Sequence, residues 1–218
     1  MKIYILRHGE TDSNVLGLLQ GGSDMPLNEN GIRLAELCGE GMCHIRFDRC
    51  ITSPLRRAAH TARIVLDHSG NTNVALEYDD RLKEISMGDW EGKHFRTDED
   101  GVDVSAMKVF FDNALHFEGF PNGETVASLM SRTWEFLEEL AAGNDESTVL
   151  ISTHGTALRA MLNPLYEDPS DFWHSHVPYN CSVSLVETED GKMVLKEDDH
   201  IYYDRNLIVD RYSGNSKR

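Results

Sequence analysis

The 218-residue chain predicts an α/β fold: a three-layer sandwich with a mostly parallel central sheet and helices on both faces. Three observations carry this reading. Short apolar, β-branched runs suited to buried strands, such as 3–6 and 148–153, alternate with longer segments whose apolar residues keep helical spacing. That alternation is the pattern of a sheet covered on both faces. Several strand-like runs end in polar residues that lead into a helix start. Finally, the length and 40% apolar content suffice for one well-filled core. With no internal repeat or low-complexity segment, residues 1–218 are read as a single domain.

The elements follow in order. Residues 2–6 read as a buried strand. "MPLNENGIRLAELCGEGM" offers Asn28 as an N-cap and Ile32, Ala35 and Cys38 as the apolar side of a helix. "FDRCITS" reads as a short strand ending at Ser53. Ser53-Pro54 then opens a helix, with serine as the cap and proline at the first helical position. Leu55, Ala58, Ala59, Ala62, Val65 and Leu66 make its buried stripe. A further strand is expected over 74–78. Val126, Leu129, Met130, Thr133, Leu137, Leu140 and Ala141 keep helical spacing up to a stop at Gly143. The run 148–153 is a buried strand, followed by His154-Gly155 and a helix from Thr156. "CSVSLVETEDGKMVLKED" reads as a hairpin turning at Asp190-Gly191. The polar end, Ser213 to Arg218, is expected to fray.

Composition excludes several classes. A net charge of −16 argues against nucleic acid or an anionic membrane as partner. Any anion site must then be a local cluster of positive groups. No apolar run reaches the roughly 18 residues of a membrane span, and the N-terminus lacks the pattern of a signal peptide, so a cytoplasmic location is expected. Cys38, Cys43, Cys50 and Cys181 form no C-x-x-C pair and read as thiols rather than a disulfide framework. His174 and His176 have no acidic or cysteine partner at ligand spacing. They read as part of a loop that packs Phe172 and Trp173 near the pocket, so no metal is expected. Residues 98–104 are acidic and read as solvated. The aromatic segment 110–125 is either a lid over a pocket or packing. Oligomeric state stays open, a homodimer included.

In sheets of this kind ligands bind beyond the carboxyl ends of the strands. His8, Ser53 with its helix, and His154 all stand where a predicted strand ends. The same edge therefore collects Arg7, His8, Arg57 and His154. Arg57 falls in the first turn of its helix, where the helix dipole also favours an anion. Two arginines and two histidines around one point describe a phosphate or carboxylate site, and the planar fork of arginine suits phosphate oxygens. A neutral imidazole keeps a lone pair and can attack phosphorus. No Walker loop, metal cluster or dinucleotide-binding glycine pattern competes for this edge, and no cofactor is expected.

Four stretches, "LRHGETDSN", "TSPLRRAAHTA", "DDRLKEISMGDWEG" and "STHGTALRAML", resemble the motifs of the histidine phosphatase superfamily, the phosphoglycerate mutase-like group. They occur in the family's order. The resemblance implies that His8 attacks the phosphoryl group and forms a phosphohistidine. It further implies that Arg7, Arg57, His154 and Asn14 surround the equatorial oxygens, with the Gly9 carbonyl holding the other imidazole proton. Glu84 matches the family's acid, which protonates the leaving oxygen and then activates water. A glutamate in that role must carry a proton near neutrality, which a phosphate beside it favours. Gln20 and Gly21 match a position that touches phosphate or substrate. The pattern selects Arg57 over Arg56, whose side chain points about 100° away on a helix. Glu10, Asp12 and Ser13 receive no chemical role.

Mutases sharing these motifs carry Glu-Arg-His-Tyr-Gly after the acid and a long basic insertion. Here Glu84 is followed by Ile85-Ser86-Met87-Gly88, and the segment up to His154 is net acidic. The expected activity is therefore that of a metal-independent phosphomonoesterase for a small phosphorylated metabolite. A cofactor-dependent phosphoglycerate mutase is the alternative, and a non-catalytic phospho-ligand binder a further one.

Overall fold

The computed structural model describes residues 1–143, 146–189 and 191–208. Six strands form one sheet: β1 (Lys2–Arg7), β2 (Arg49–Thr52), β3 (Leu76–Tyr78), β4 (Thr148–Thr153), β5 (Val183–Glu189) and β6 (Lys192–His200), in the order β3-β2-β4-β1-β5-β6. β1, β2, β3 and β4 pair in parallel, while the β5–β6 hairpin joins antiparallel beside β1. The sheet is thus mostly parallel, with an antiparallel hairpin at one edge. Of the expected turn, Asp190 lies outside the described residues, as do Ser213 to Arg218.

Alternation along β1 builds the three layers. Tyr4 and Leu6 point to the face covered by α2 (Glu29–Gly41) and α3 (Arg56–His68), where they join Leu34, Ala35, Cys38, Ala62 and Val65. Ile3 and Ile5 point to the other face, against Phe136 and Leu137 of α5 (Val126–Ala142) and Leu158 and Met161 of α6 (Gly155–Leu162). A strand that is apolar on both sides needs cover on both, so helices must lie above and below it. Each such fully buried aliphatic chain contributes roughly 1.5–3 kcal/mol relative to exposure. A third cluster, rich in Phe and Trp, lies around α4 (Val104–Asp112).

Several local expectations need correction. Asn28 does cap α2, accepting from the Gly31 N–H at 2.8 Å, but Leu34 rather than Ile32 is buried on that helix. Ser53 does not cap α3. The helix begins at Arg56, whose N–H donates to Asp24 Oδ1 at 2.6 Å, while Ser53 Oγ accepts from the Leu55 N–H at 3.3 Å, ahead of the helix, and from His154 Nε2 at 2.8 Å. A carboxylate brought in by a distant loop thus replaces the local cap. The strand expected over 74–78 is shorter, Leu76–Tyr78.

Two helices are additional. α1 (Asp12–Leu16) is closed by a capping box between Thr11 and Asn14. α4 is capped by Asp103, inside the stretch expected to be merely solvated.

Candidate active site

Three strand ends meet. The register of β1 against β4 sets Arg7 beside Thr153, and the His8 N–H donates to the Thr153 carbonyl at 3.0 Å. His8 therefore lies next to His154, with ring centroids 5.1 Å apart. Glycine permits the approach of α2 from below. A Cβ at Gly9 would come within 2.6 Å of the Gly31 carbonyl oxygen, and one at Gly31 would overlap the Glu10 carbonyl. Glu10, given no chemical role above, is buried and accepts from Asn28 Nδ2 and Asn30 Nδ2 at 3.1 Å each, which ties the loop after β1 to the start of α2.

The His8 residue is 3% exposed and lines a cleft. Its Nδ1–H donates to the Gly9 carbonyl at 2.7 Å, leaving the lone pair on Nε2. Burial first, then the charges of Arg57 and Arg7, push its pKa well below the usual 6.5, despite the opposing Gly9 bond. The imidazole is neutral at pH 7. Asn180 Nδ2 and Thr61 Oγ1 brace this turn, the first on the His8 carbonyl at 3.0 Å and the second on the Gly9 N–H at 2.9 Å.

Arg57 is fully buried while Arg56 is exposed. Its guanidinium donates to the Ser23 carbonyl at 2.6 Å, the Gly21 carbonyl at 2.8 Å and His154 Nδ1 at 3.1 Å. Burial brings its pKa down to about 10, which leaves it charged at neutral pH. Since His154 Nδ1 accepts from Arg57, the imidazole proton lies on Nε2 and is donated to Ser53 Oγ at 2.8 Å. His154 is fully buried, and both its nitrogens are engaged within the protein. It stands against Arg57 and the His8 ring. Burial, then the Arg57 charge, lowers its pKa well below 6.5 as well.

Glu84 reaches the cleft from the far side of the sheet. Its carboxylate accepts from the N–H groups of Thr156 and Ala157, both at 3.0 Å, and so caps α6, whose N-cap residue His154 supplies no side-chain bond. Arg132 holds the backbone behind it, donating to the carbonyls of Arg81, Lys83 and Glu84 at 2.7, 2.8 and 3.1 Å.

Asn14, Gln20 and Gly21 also line the cleft. Asn14 Oδ1 accepts from the Thr11 N–H at 3.1 Å, and Gln20 Oε1 accepts from Thr11 Oγ1 at 2.9 Å. Gly21 has a positive φ of 50°, and a Cβ there would lie 2.8 Å from the Met87 nitrogen. Glu91 fastens this loop, accepting from the Gly22 N–H, Ser23 Oγ and the Met87 N–H at 2.8, 3.0 and 3.1 Å.

Sequence reasoning brought Ser53 to the edge but gave it the role of a helix cap, and it missed Glu91, Arg132 and Thr156 as supports of the site. Glu91 and Thr156 stood inside the motif stretches of Glu84 and His154, while nothing pointed to Arg132. The aromatic segment 110–125 packs: Phe110, Phe117 and Phe120 are buried in the aromatic cluster, and Phe110 and Phe111 line the cleft beside Trp173. Among the described residues no group of three or more histidines, cysteines or acids is placed to hold a metal ion. His174 stacks on Tyr166, and His176 Nδ1 donates to the Val177 carbonyl at 2.9 Å. No helix among the described residues is long and apolar enough to cross a membrane.

A neutral histidine at a strand end, walled by arginines and faced by a carboxylate, defines an enzyme that moves phosphoryl groups at an imidazole. Similarity to known proteins then gives the family. A family model described as "Histidine phosphatase superfamily (branch 1)" matches residues 3–198, and the chain belongs to this family. It is 34% identical over 90% of its length, and 95% of the relative's, to a protein of Salmonella typhimurium named adenosylcobalamin/alpha-ribazole phosphatase. It is 33% identical over 88% of its length, and 86% of the relative's, to a Yersinia pestis protein named "Probable phosphoglycerate mutase GpmB". Among solved structures it resembles YhfR of Bacillus stearothermophilus, with a TM-score of 0.81 and 31% identity, covering 91% of this chain and 96% of that one. The chain is a histidine phosphatase, an enzyme of the class that hydrolyses phosphate monoesters.

Proposed function

We propose that the protein hydrolyses monoesters of small phosphorylated metabolites through a phosphohistidine on His8. The observation that carries this reading is the His8 tautomer. With Nδ1–H given to the Gly9 carbonyl, Nε2 presents its lone pair in a cleft lined by Arg7 and Arg57. In the first step Nε2 bonds to phosphorus as the ester P–O bond breaks. Glu84 passes its proton to the departing alkoxide. In the second step water attacks phosphorus, Glu84 takes a water proton, and the P–N bond breaks to release phosphate and the neutral imidazole. Arg7, Arg57 and Asn14 hold the three equatorial oxygens, whose spread charge is what such a transfer chiefly needs stabilised. His154 acts through Arg57, keeping its fork aimed while remaining uncharged beside it.

Hydrolysis is favoured over the mutase reaction by the cations of the cleft. Among the described residues that line it they are Arg7 and Arg57 alone, too few for a bisphosphorylated acid. The buried free thiols of Cys38, Cys50 and Cys181 accord with a reducing, cytoplasmic setting. The test is turnover of a generic aryl phosphate. His8→Ala should abolish phosphate release, and Glu84→Gln should slow it and leave a covalent adduct of one phosphoryl group on His8 after rapid denaturation in alkali. Undiminished turnover by His8→Ala would sink the mechanism.

A further inference from the structure

The lining of the cleft has two chemically distinct parts. One is Arg7, His8, Arg57 and Glu84. The other is Phe95, Phe110, Phe111 and Trp173, which share one packed cluster with Met87 and Val177. The rings hold one another. Phe95 and Phe111 have centroids 5.3 Å apart, Phe110 meets Trp173 edge to face at 5.4 Å, and Phe111 lies offset over Trp173 at 6.0 Å with 29° between planes. The Trp173 indole N–H donates to the Phe110 carbonyl at 2.8 Å, so the loop bearing it is fastened to α4. Phe95, Phe110 and Trp173 are buried, whereas Phe111 is only partly so. The collar is therefore preformed, and its least covered ring is Phe111.

We infer that the substrate is a phosphate monoester of an uncharged alcohol that carries an aromatic ring, with the ring seated among Phe95, Phe111 and Trp173. This rests on the phosphatase reading and specifies its leaving group. Three arguments converge. The cations lining the cleft, among the described residues, are Arg7 and Arg57, which wall the phosphate site, while Arg96, whose guanidinium lies 5.2 Å from the Phe95 ring centroid, is exposed and not part of the lining; a carboxylate or second phosphate on the alcohol would lose its hydration against aromatic walls. A neutral ring meets the opposite situation, because offset and edge-to-face contacts favour it over water. The protein's net charge of −16 adds long-range repulsion against any further anion on the substrate.

The test compares esters of primary alcohols with similar leaving groups: 2-phenylethyl phosphate, glycerol 3-phosphate and O-phosphoserine. The expected order of kcat/KM is phenyl ester, then glycerol ester, then phosphoserine, with at least about tenfold between the first two, the scale on which apolar pockets discriminate. Phe111→Ala and, separately, Trp173→Leu should shrink that first ratio to within about threefold. Circular dichroism and hydrolysis of the glycerol ester report whether each variant is folded. A phenyl preference below tenfold in the wild type, or phosphoserine hydrolysed as fast as the phenyl ester, overturns the substrate class while the phosphatase reading stands. Hydrolysis of none of the three, nor of an aryl phosphate, overturns both.

Discussion

Acidification below pH 6.5 should weaken the fold through His8 and His154 before the carboxylates contribute. Both rings are almost wholly buried, and both have folded-state pKa values well below 6.5, set first by burial and then by the Arg57 charge. Above pH 6.5 folded and unfolded chains both hold neutral imidazoles, so these groups add no pH dependence. Below it the unfolded chain takes up protons that the folded one refuses. Stability then falls with pH, by up to about 1.4 kcal/mol per pH unit for each histidine, until the folded pKa is reached and the loss stops. Between pH 6.5 and pH 5 this loss has a ceiling of about 2 kcal/mol per histidine. This is a large part of the ~5–15 kcal/mol that holds an ordinary domain together.

Carboxylates with depressed pKa values, such as Glu77, Glu124 and Asp198, have the opposite starting point. Their stabilisation is present at neutral pH and is lost only as pH falls through their own lower range. The assay is urea unfolding at pH 7.5, 6.5, 5.5 and 5.0 for the wild type, His8→Ala and His154→Gln. Each variant should lose about half of the wild-type decline between pH 7.5 and 5.0. A smaller contribution from the half-buried His174, whose pKa burial also lowers, is common to all three proteins and cancels. A variant that keeps the full wild-type decline would refute the neutral, buried state of that histidine.

Three further predictions concern groups that brace the site. Arg57→Lys cannot make the three-way contact with Gly21, Ser23 and His154, and steady-state kinetics should show kcat lower by on the order of 10²–10³, by analogy with the loss of an oxyanion donor. Gly31→Ala places a methyl on the Glu10 backbone, and thermal unfolding should report about 1–3 kcal/mol of destabilisation, as for overpacking elsewhere. Arg132→Gln releases the backbone carbonyls from Arg81 to Glu84 and leaves Glu124 without its ion-pair partner. Its kcat should fall more than its KM rises, because Glu84 acts on protons rather than on binding; an unchanged kcat would count against Arg132 as a positioning residue.

What could be read from the sequence was mostly what local chemistry determines. β1 and β4 are apolar on both faces, so they had to be central strands, and a polar residue directly after such a strand had to emerge at its carboxyl end. That logic alone brings Arg7, His8 and His154 to one edge. It failed where a local rule competed with a distant partner. Ser53-Pro54 satisfies the rule for a helix start, yet Ser53 Oγ bonds His154 and the α3 N-terminus is served by Asp24. The α6 N-terminus is likewise served by Glu84, about 70 residues earlier in the chain, at Thr156 and Ala157. No periodicity encodes such pairings. α1 is five residues long and too short for a helical period, though Thr11 and Asn14 stood at capping-box spacing. α4 was obscured by the acids before it, one of which, Asp103, is its cap.

These distant caps explain how a protein of strongly negative charge keeps a phosphate site poised. Two of the carboxylates around the site are committed to helix N-termini: Asp24 to α3 and Glu84 to α6. Each offsets the partial positive charge of its helix. The two histidines, being neutral, add no charge of their own beside the arginines. Arg57 is in turn held by carbonyl oxygens and an imidazole nitrogen, not by a carboxylate in direct contact. Its charge is therefore oriented without being cancelled, and a phosphoryl group entering the cleft meets it with no resident salt bridge to break. Had His154 carried a second proton, on Nδ1 as well as Nε2, Nδ1 could no longer accept from Arg57, and two positive groups would face each other in a buried site. The burial that makes His154 costly to protonate is thus the same feature that keeps Arg57 aimed.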